Sequence, residues 1–149
     1  MLKALNYQIY EEMNSAYIYT GMASWLGSQG LRGMEKWMKK QVEEEIEHTE
    51  KIYDYVSVHG KVELKALPAP LCEWESSYVV FEKAMQHEEY ITGCIEKLYG
   101  LAEEQSDEET MEFLRWFIKE QDEEENNAEH NLEIIKKDEK KADEEMGKR

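Results

Sequence analysis

Four stretches of the chain repeat apolar residues at alternating steps of three and four, the spacing that places side chains on one face of an α-helix. The four rows, which we call seams, are Leu5, Ile9, Glu12, Ala16, Tyr19, Ala23, Leu26; Met34, Met38, Gln41, Glu45, His48, Ile52, Tyr55; Phe81, Ala84, Glu88, Ile91, Ile95, Leu98, Ala102; and Thr110, Leu114, Phe117, Gln121, Glu124, Ala128, Asn131, Ile135. Each seam predicts one long amphipathic helix, and together they predict an all-α fold.

The residues between the seams predict how the helices are connected. Three glycines in residues 27–33 end the first helix and make a short turn, so the second helix is antiparallel to it. Residues 61–75 contain both prolines and no helical periodicity, and they are long enough to carry the chain back along the bundle. Ser76 is predicted to cap the third helix, while Ser106 and Glu109 have the spacing of a capping box for the fourth. The pattern predicts an antiparallel four-helix bundle with a long crossover between the second and third helices.

The chain has 149 residues, and no break in composition divides the first 137 of them. That length is usual for one domain with a substantial core. We therefore expect one bundle domain at residues 1–137, followed by a charged C-terminal extension or tail at residues 138–149. The extension mixes acidic and basic residues and has few apolar ones, so we expect it to be solvated.

Acidic residues outnumber basic ones by 34 to 18, which gives a formal charge of −16 at pH 7. Such a charge repels nucleic acid and anionic membrane surfaces and attracts cations. No stretch approaches the roughly twenty apolar residues of a membrane span, and the first residues lack the apolar core of a signal peptide. Two cysteines are too few for a disulfide framework. We expect a soluble, cytoplasmic protein that binds neither nucleic acid nor membranes.

Six seam positions carry polar side chains of the kind that binds metals: Glu12, Glu45, His48, Glu88, Gln121 and Glu124. Thirty-three residues separate Glu12 from Glu45, and the same number separates Glu88 from Gln121. In an antiparallel hairpin, residues equidistant from the turn lie level with each other, and each pair is about 24 Å from its turn at 1.5 Å per residue. All six side chains are therefore predicted to meet near the middle of the bundle.

A single glutamate on a helix is usually solvated, which is the simplest interpretation of any one of these positions. That interpretation does not suit four seam carboxylates at one level, because burying them together without partners costs several kcal/mol. No lysine or arginine occupies a seam position to neutralise them. Two divalent cations held between the helices would do so, and oxygen ligands with a single imidazole suit iron, manganese or zinc.

The chain resembles the prokaryotic non-haem ferritins over roughly residues 2 to 137. The matching stretches are residues 5–12, 15–19, 33–41, 44–48, 61–64, 87–88, 113–117 and 120–125. One of them is Glu44-Glu45-Ile46-Glu47-His48, a Glu-x-x-His motif of the kind found in di-iron bundles. The resemblance implies a ferritin-like four-helix bundle that stores iron.

The resemblance also implies a di-iron centre. Glu12, Glu45 and His48 would hold the first iron, and Glu45 would bridge to a second iron held by Glu88 and Glu124. Oxidation of Fe(II) to Fe(III) by dioxygen or hydrogen peroxide at this centre would make the protein a ferroxidase. The Fe(III) would pass to a stored ferric oxyhydroxide mineral.

Other residues acquire roles from the same resemblance. Gln121 would stand beside the second iron, and Tyr19 would be a nearby redox-active or hydrogen-bonding phenol. For Tyr19 the alternative is a core tyrosine with a satisfied hydroxyl group. A third, accessory iron site would comprise Glu44, Glu120 and Glu123 with Glu124 shared, although acids at such positions are also commonly solvated.

The carboxyl end departs from the family. Its members usually carry a short fifth helix that lines a symmetry axis of a hollow shell of twenty-four subunits, whereas the charged run at residues 138–149 predicts no such helix. The chain is expected to form a homo-oligomer, with the twenty-four-subunit cage as its largest form. The alternative function is a bundle of low oligomeric state that binds or oxidises iron without mineral storage. A DNA-coating mini-ferritin is disfavoured by the acidic charge.

Overall fold

A computed structural model describes residues 1–149 and contains five helices and no strands. The helices are α1 (Leu2–Ser28), α2 (Arg32–His59), α3 (Ser77–Glu104), α4 (Glu108–Lys137) and α5 (Glu139–Met146). The first pair, α1 and α2, pack along each other, as do α3 and α4. The predicted all-α fold is therefore confirmed. None of the five helices combines the length and the apolar composition that a membrane span requires.

The seams form the interior of the bundle. Every seam residue is buried except Tyr55, which is half-buried near one end of the molecule. The alternating steps of three and four keep each row turned toward the other helices along about seven turns. The sequence pattern therefore identified most of the bundle core, although Met22, Trp25, Val56 and Val80 are also buried outside the seams.

The long crossover predicted between the second and third helices is present as the non-helical segment 60–76. It is tied to the first helix by Asn6, whose amide group makes two hydrogen bonds with backbone atoms. Asn6 Nδ2 donates to the carbonyl oxygen of Lys61 at 3.0 Å, and the backbone N–H of Glu63 donates to Asn6 Oδ1 at 2.8 Å. This segment allows α3 to run parallel to α2. Helix α3 is therefore antiparallel to α1.

Helix α4 begins differently from the prediction. Asp107, not Ser106, is its N-cap, and the Asp107 carboxylate accepts hydrogen bonds from the backbone N–H and the hydroxyl group of Thr110 at 3.1 and 2.6 Å. Ser106 has a left-handed φ of 52° and belongs to the turn that follows α3. The predicted Ser106–Glu109 capping box is wrong, because the turn needs one residue more than the pattern allowed.

This difference gives a prediction about stability. We expect Asp107→Ala to lower the free energy of unfolding by about 1 kcal/mol, because two donors at the start of α4 lose their acceptor. We expect Ser106→Gly to leave it unchanged or raise it by up to about 1 kcal/mol, since glycine adopts a left-handed φ without strain. Urea unfolding followed by circular dichroism measures both. A larger loss in Ser106→Gly than in Asp107→Ala would restore Ser106 as the cap.

The C-terminal extension forms a fifth helix, so the expectation of a chain end without one is wrong. Helix α5 packs against α2 and α4 and buries Ala142 and Met146, which are 1% and 3% exposed. Asp138 caps it by accepting a hydrogen bond from the backbone N–H of Lys141 at 3.1 Å. Two apolar residues one turn apart are too few to make a periodic pattern, and their burial depends on the surface that α2 and α4 present.

Helix α5 docks on the N-terminal turn of α2. Asp143 Oδ1 accepts a hydrogen bond from the backbone N–H of Met34 at 2.8 Å, which supplies a cap that Leu31 at the N-cap position does not provide. The two backbones meet so closely that a Cβ atom on Gly33 would lie 1.8 Å from the Asp143 carbonyl oxygen. Lys36 Nζ donates to the carbonyl oxygen of Gly147 at 3.0 Å. Residue 33 must therefore be glycine for α5 to dock as it does.

The apolar core is divided into two clusters. The larger cluster consists of Tyr19, Met22, Ala23, Trp25, Leu26, Met34, Met38, Val80, Phe81, Ala84, Ile135, Ala142 and Met146. The smaller cluster consists of Leu5, Ile9, Ile52, Val56, Ile91, Ile95, Leu98, Leu114 and Phe117. Between the two lies a layer of buried polar side chains from all four long helices.

Candidate metal centre

The polar layer contains all six seam residues predicted to bind metal. They are Glu12, Glu45, His48, Glu88, Gln121 and Glu124, and each is at most 4% exposed. Because α1 and α2 form one hairpin and α3 and α4 the other, positions thirty-three residues apart come to the same level. The structure therefore brings these residues together.

The carboxylates and the imidazole form two groups that share one residue. Ligand atoms of Glu12, Glu45 and His48 lie within 4.8 Å of one another, and so do those of Glu45, Glu88 and Glu124. In the first group, His48 Nδ1 lies 3.4 Å from Glu45 Oε2 and 3.9 Å from Glu12 Oε2. Glu45 belongs to both groups, which is the arrangement that a carboxylate bridging two cations requires.

Two buried polar atoms in the first group make no hydrogen bond in the protein, although they lie 3.9 Å apart. Glu12 Oε2 and His48 Nδ1 are fully buried and make no hydrogen bond. Such atoms are rare, because a buried polar group without a partner costs about 1–3 kcal/mol. A cation bound between them would satisfy both, and carboxylate oxygens with one imidazole suit iron.

The second group borders a small cavity. Its volume is about 10 Å³, and its lining includes Tyr19, Gln41, Glu88 and Glu124. That volume is about one water-sized sphere. Apolar side chains such as Trp37 and Phe81 form most of the wall, so this is a small, mainly apolar space beside Glu88 and Glu124.

Three of the four carboxyl groups, those of Glu45, Glu88 and Glu124, hold protons more tightly than ordinary acids. Burial acts to raise the pKa of Glu12, but the neighbouring side chains of His48 and Glu45 outweigh burial and lower it. Burial raises the pKa of Glu45 well above its usual value, and the neighbouring carboxylates of Glu88 and Glu12 raise it further. Burial, followed by Glu88, raises the pKa of Glu124 to about 8. Burial acts to lower the pKa of His48, but the carboxylates of Glu12 and Glu45 outweigh it and raise the pKa to about 11. Binding of cations here must therefore displace protons.

Glu88 is held by two donors. The Tyr19 hydroxyl group donates a hydrogen bond to its carboxylate, and burial together with Glu88 keeps the pKa of this phenol well above its usual value. Gln121 Nε2 donates to Glu88 Oε2 at 3.1 Å, to the Glu88 carbonyl oxygen at 3.2 Å and to Thr92 Oγ1 at 3.2 Å. Tyr19 is thus a buried tyrosine whose partner is a candidate ligand, and Gln121 points its amide nitrogen at that same ligand.

Two further amides were not singled out from the sequence. Gln41 Nε2 donates to Glu45 Oε1 at 3.2 Å and to Glu124 Oε2 at 2.7 Å, so it connects the two hairpins. Gln8 Nε2 donates to Glu12 Oε1 at 3.3 Å. Each glutamine precedes its glutamate by four residues, and residues at that spacing are neighbours on a helix. The repeated Gln-x-x-x-Glu spacing is the signal that could have identified both.

The residues predicted for a third site are only partly brought together. Glu120 joins the centre, since its ligand atom lies within 4.8 Å of those of His48 and Glu124. Partial burial raises the pKa of Glu120. His48 acts to lower it, whereas the nearby carboxylates of Glu123 and Glu44 raise it further. Glu44 instead forms an ion pair with Arg149 at 2.8 Å, and Glu123 is exposed to solvent.

An aromatic wall covers the imidazole. The ring of Trp116 meets the His48 ring edge-on with centroids 5.4 Å apart, and Phe117 lies at 6.1 Å. Trp116 is 40% exposed whereas His48 is buried, so the indole ring lies between the imidazole and solvent. The ammonium group of Lys51 lies 4.4 Å from the centre of the Trp116 ring. The imidazole is therefore confined between this wall and the carboxylates.

Comparison with known proteins agrees with this geometry. A family model described as a ferritin-like domain matches residues 2–138, and the chain therefore belongs to the ferritin family. It is 34% identical over 126 residues to a probable bacterial non-heme ferritin-like protein of Haemophilus influenzae, covering 84% of this chain and 76% of that protein. It is 33% identical over 136 residues to a bacterial non-heme ferritin of Staphylococcus haemolyticus, covering 91% and 82%.

Solved structures similar to this chain include an open pore ferritin from the hyperthermophilic archaeon Archaeoglobus fulgidus. It is 40% identical with a TM-score of 0.95, and the match covers 100% of this chain and 96% of that one. A closed form of the same ferritin, engineered by site-directed mutagenesis, is 39% identical with a TM-score of 0.95 and covers 100% and 95%. The match extends through α5.

Proposed function

We propose that the protein is a ferroxidase that stores iron, with Fe(II) as its substrate. The observation that carries this proposal is the pair of buried ligand groups that share Glu45, with unpartnered atoms on Glu12 and His48. Membership of the ferritin family supports it. A buried layer of four carboxylates is costly in the metal-free chain, and a substrate of two divalent cations explains why the layer is there.

Each ligand group binds one Fe(II). Glu12, Glu45 and His48 hold the first ion, and Glu45, Glu88 and Glu124 hold the second. Each Fe(II) gives up one electron. Dioxygen takes the two electrons with two protons and becomes hydrogen peroxide. Hydrogen peroxide, as the alternative oxidant, takes two electrons with two protons and becomes two water molecules. Carboxylate oxygens favour the harder Fe(III) product, which then passes to a ferric oxyhydroxide mineral.

The remaining predicted residues act beside these ligands. Tyr19 and Gln121 orient Glu88 through the hydrogen bonds that they donate to its carboxylate. Glu120 and the shared Glu124 supply the first ligands of an accessory third site on the solvent side of His48. Glu44 and Glu123 complete that site when an ion occupies it.

The ferroxidase unit is the bundle at residues 1–137, and residues 138–149 are an extension docked on it. We infer a homo-oligomer in the cytoplasm, with the hollow cage of twenty-four subunits as the form that stores mineral. The charge of −16 disfavours nucleic acid and anionic membranes as partners. The ferritin structures that match through α5 support assembly of this kind.

An anaerobic titration with Fe(II), followed by exposure to oxygen, tests the proposal. We expect about two tightly bound ions per chain, rapid oxidation on exposure, and inhibition by Zn(II), which has the same charge but no redox chemistry. Light scattering on the same sample reports whether a cage forms. Binding of fewer than two ions, or oxidation no faster than in buffer, would contradict ferroxidase activity; a dimer that still oxidises iron would contradict storage alone.

A further inference from the structure

Arg149 connects the C-terminal segment to the metal centre. Its guanidinium group lies 4.3 Å from the centre of the Trp37 ring and donates a hydrogen bond to the Trp37 carbonyl oxygen at 3.0 Å. The same group donates to Gln41 Oε1 from two nitrogens, each at 3.3 Å, and to Glu44 Oε2 at 2.8 Å. One side chain therefore contacts both an amide that holds candidate ligands and a carboxylate predicted for the third site.

The contact with Gln41 determines which way that amide points. A guanidinium group has only donors, so the atom of Gln41 that faces Arg149 must be the oxygen. The amide nitrogen then faces Glu45 and Glu124, to which it donates. A reversed amide would place its oxygen against two carboxylates and its N–H groups against a cation. Arg149 therefore selects the amide orientation that suits ionised Glu45 and Glu124.

The contact with Glu44 has a different consequence. Arg149 is 22% exposed at its side chain, and Glu44 is 39% exposed, so this ion pair lies at the edge of the centre. A cation entering between Glu44 and Glu120 meets a carboxylate that already has a positive partner. The guanidinium group must leave Glu44 before that carboxylate can bind the ion.

We propose that Arg149 is a positioning residue of the metal centre, which orients Gln41 toward Glu45 and Glu124 and competes with a third cation for Glu44. The inference rests on the proposed two-iron centre and adds a coupling between that centre and the C-terminal segment. Loss of Arg149 has opposite effects at the two places. The inner pair of ions loses a supporting hydrogen-bond chain, whereas the third ion loses a competitor.

Anaerobic calorimetric titration with Zn(II) separates these effects, because it measures affinity without any oxidation step. We expect Arg149→Gln to weaken binding of the inner pair by about tenfold, because it loosens Gln41, whose hydrogen bonds to Glu45 and Glu124 are of the kind whose loss costs about 10–100-fold in metal affinity. We expect the same variant to tighten the third, weaker step by about tenfold, since no cation then occupies Glu44. Lys148→Gln removes one positive charge from the neighbouring exposed residue and serves as the matched control, with no expected change.

Arg149→Lys distinguishes charge from geometry. Lysine keeps a cation near Glu44 but lacks the planar fork that reaches Gln41 and Glu44 together. We expect it to restore weak binding of the third ion while leaving the inner pair weakened. Equal weakening of all three steps in Arg149→Gln, or isotherms identical to those of the unaltered protein, would overturn the role of Arg149. Absence of the inner pair in the unaltered protein would instead overturn the proposed function.

Discussion

Replacement of Glu45 by glutamine is expected to reduce the initial rate of Fe(II) oxidation at least about 100-fold and to make the metal-free protein more stable. The rate falls because Glu45 belongs to both ligand groups, and a neutral amide cannot bridge two cations as a carboxylate does. The free energy of unfolding without metal is expected to rise by about 1–3 kcal/mol, since one of the four carboxyl groups that meet at the metal centre is removed. Stopped-flow absorbance measures the rate, and thermal unfolding in the presence of a chelator measures the stability.

Glu47→Gln is the matched control, because Glu47 lies on the same helix two residues away and is exposed. It removes the same charge without touching the polar layer, so both measurements are expected to remain within error of the unaltered protein. A Glu45→Gln variant that oxidises iron at the normal rate would contradict the bridging role. A loss of activity accompanied by a large loss of stability would indicate that Glu45 supports the fold instead.

Replacement of Gly33 by alanine is expected to detach α5 from the bundle. The new Cβ atom would lie 1.8 Å from the carbonyl oxygen of Asp143 and 2.8 Å from its carbonyl carbon, and these are backbone atoms that cannot rotate away. Detachment exposes Met146 and Ala142 and removes the cap on Met34, which together lowers the free energy of unfolding by about 2–4 kcal/mol. Hydrogen exchange is expected to show α5 amides exchanging like those of an unfolded peptide.

Gly93→Ala is the control for this substitution. Gly93 lies within α3, and a Cβ atom there would meet nothing within 4 Å, so alanine is expected to stabilise the helix by about 0.5–1 kcal/mol. Slow exchange of α5 amides in Gly33→Ala would contradict the close approach of the two backbones. Similar stability changes at residues 33 and 93 would do the same.

The bundle could be predicted from the sequence because its helices are long and each seam continues for seven or eight positions. The seam residues from Leu5 to Ile135 are buried with the single exception of Tyr55. The spacing from Glu12 to Glu45 equals that from Glu88 to Gln121. This equality was also sufficient to predict that the polar side chains of the four helices lie at the same level of the bundle. Their assignment as iron ligands stays a prediction until metal binding is measured.

Features that depend on a single contact could not be predicted. Helix α5 is one short helix whose stability comes from the surface it covers, and nothing in its own sequence repeats. Asp107 rather than Ser106 caps α4, because the turn places Ser106 at a left-handed φ that a spacing rule does not register. Arg149 lies 108 residues from Gln41, and no local pattern reports a contact at that separation.

The contact between Asp143 and Met34 also bears on how this molecule folds. It joins residues 109 positions apart, and closing a loop of that length carries an entropic cost. We expect the two hairpins to assemble before the N-terminal turn of α2 acquires its cap. We expect transient release of α5 to be a local opening that also frees Arg149, so that α5 and the surroundings of Gln41 fluctuate together.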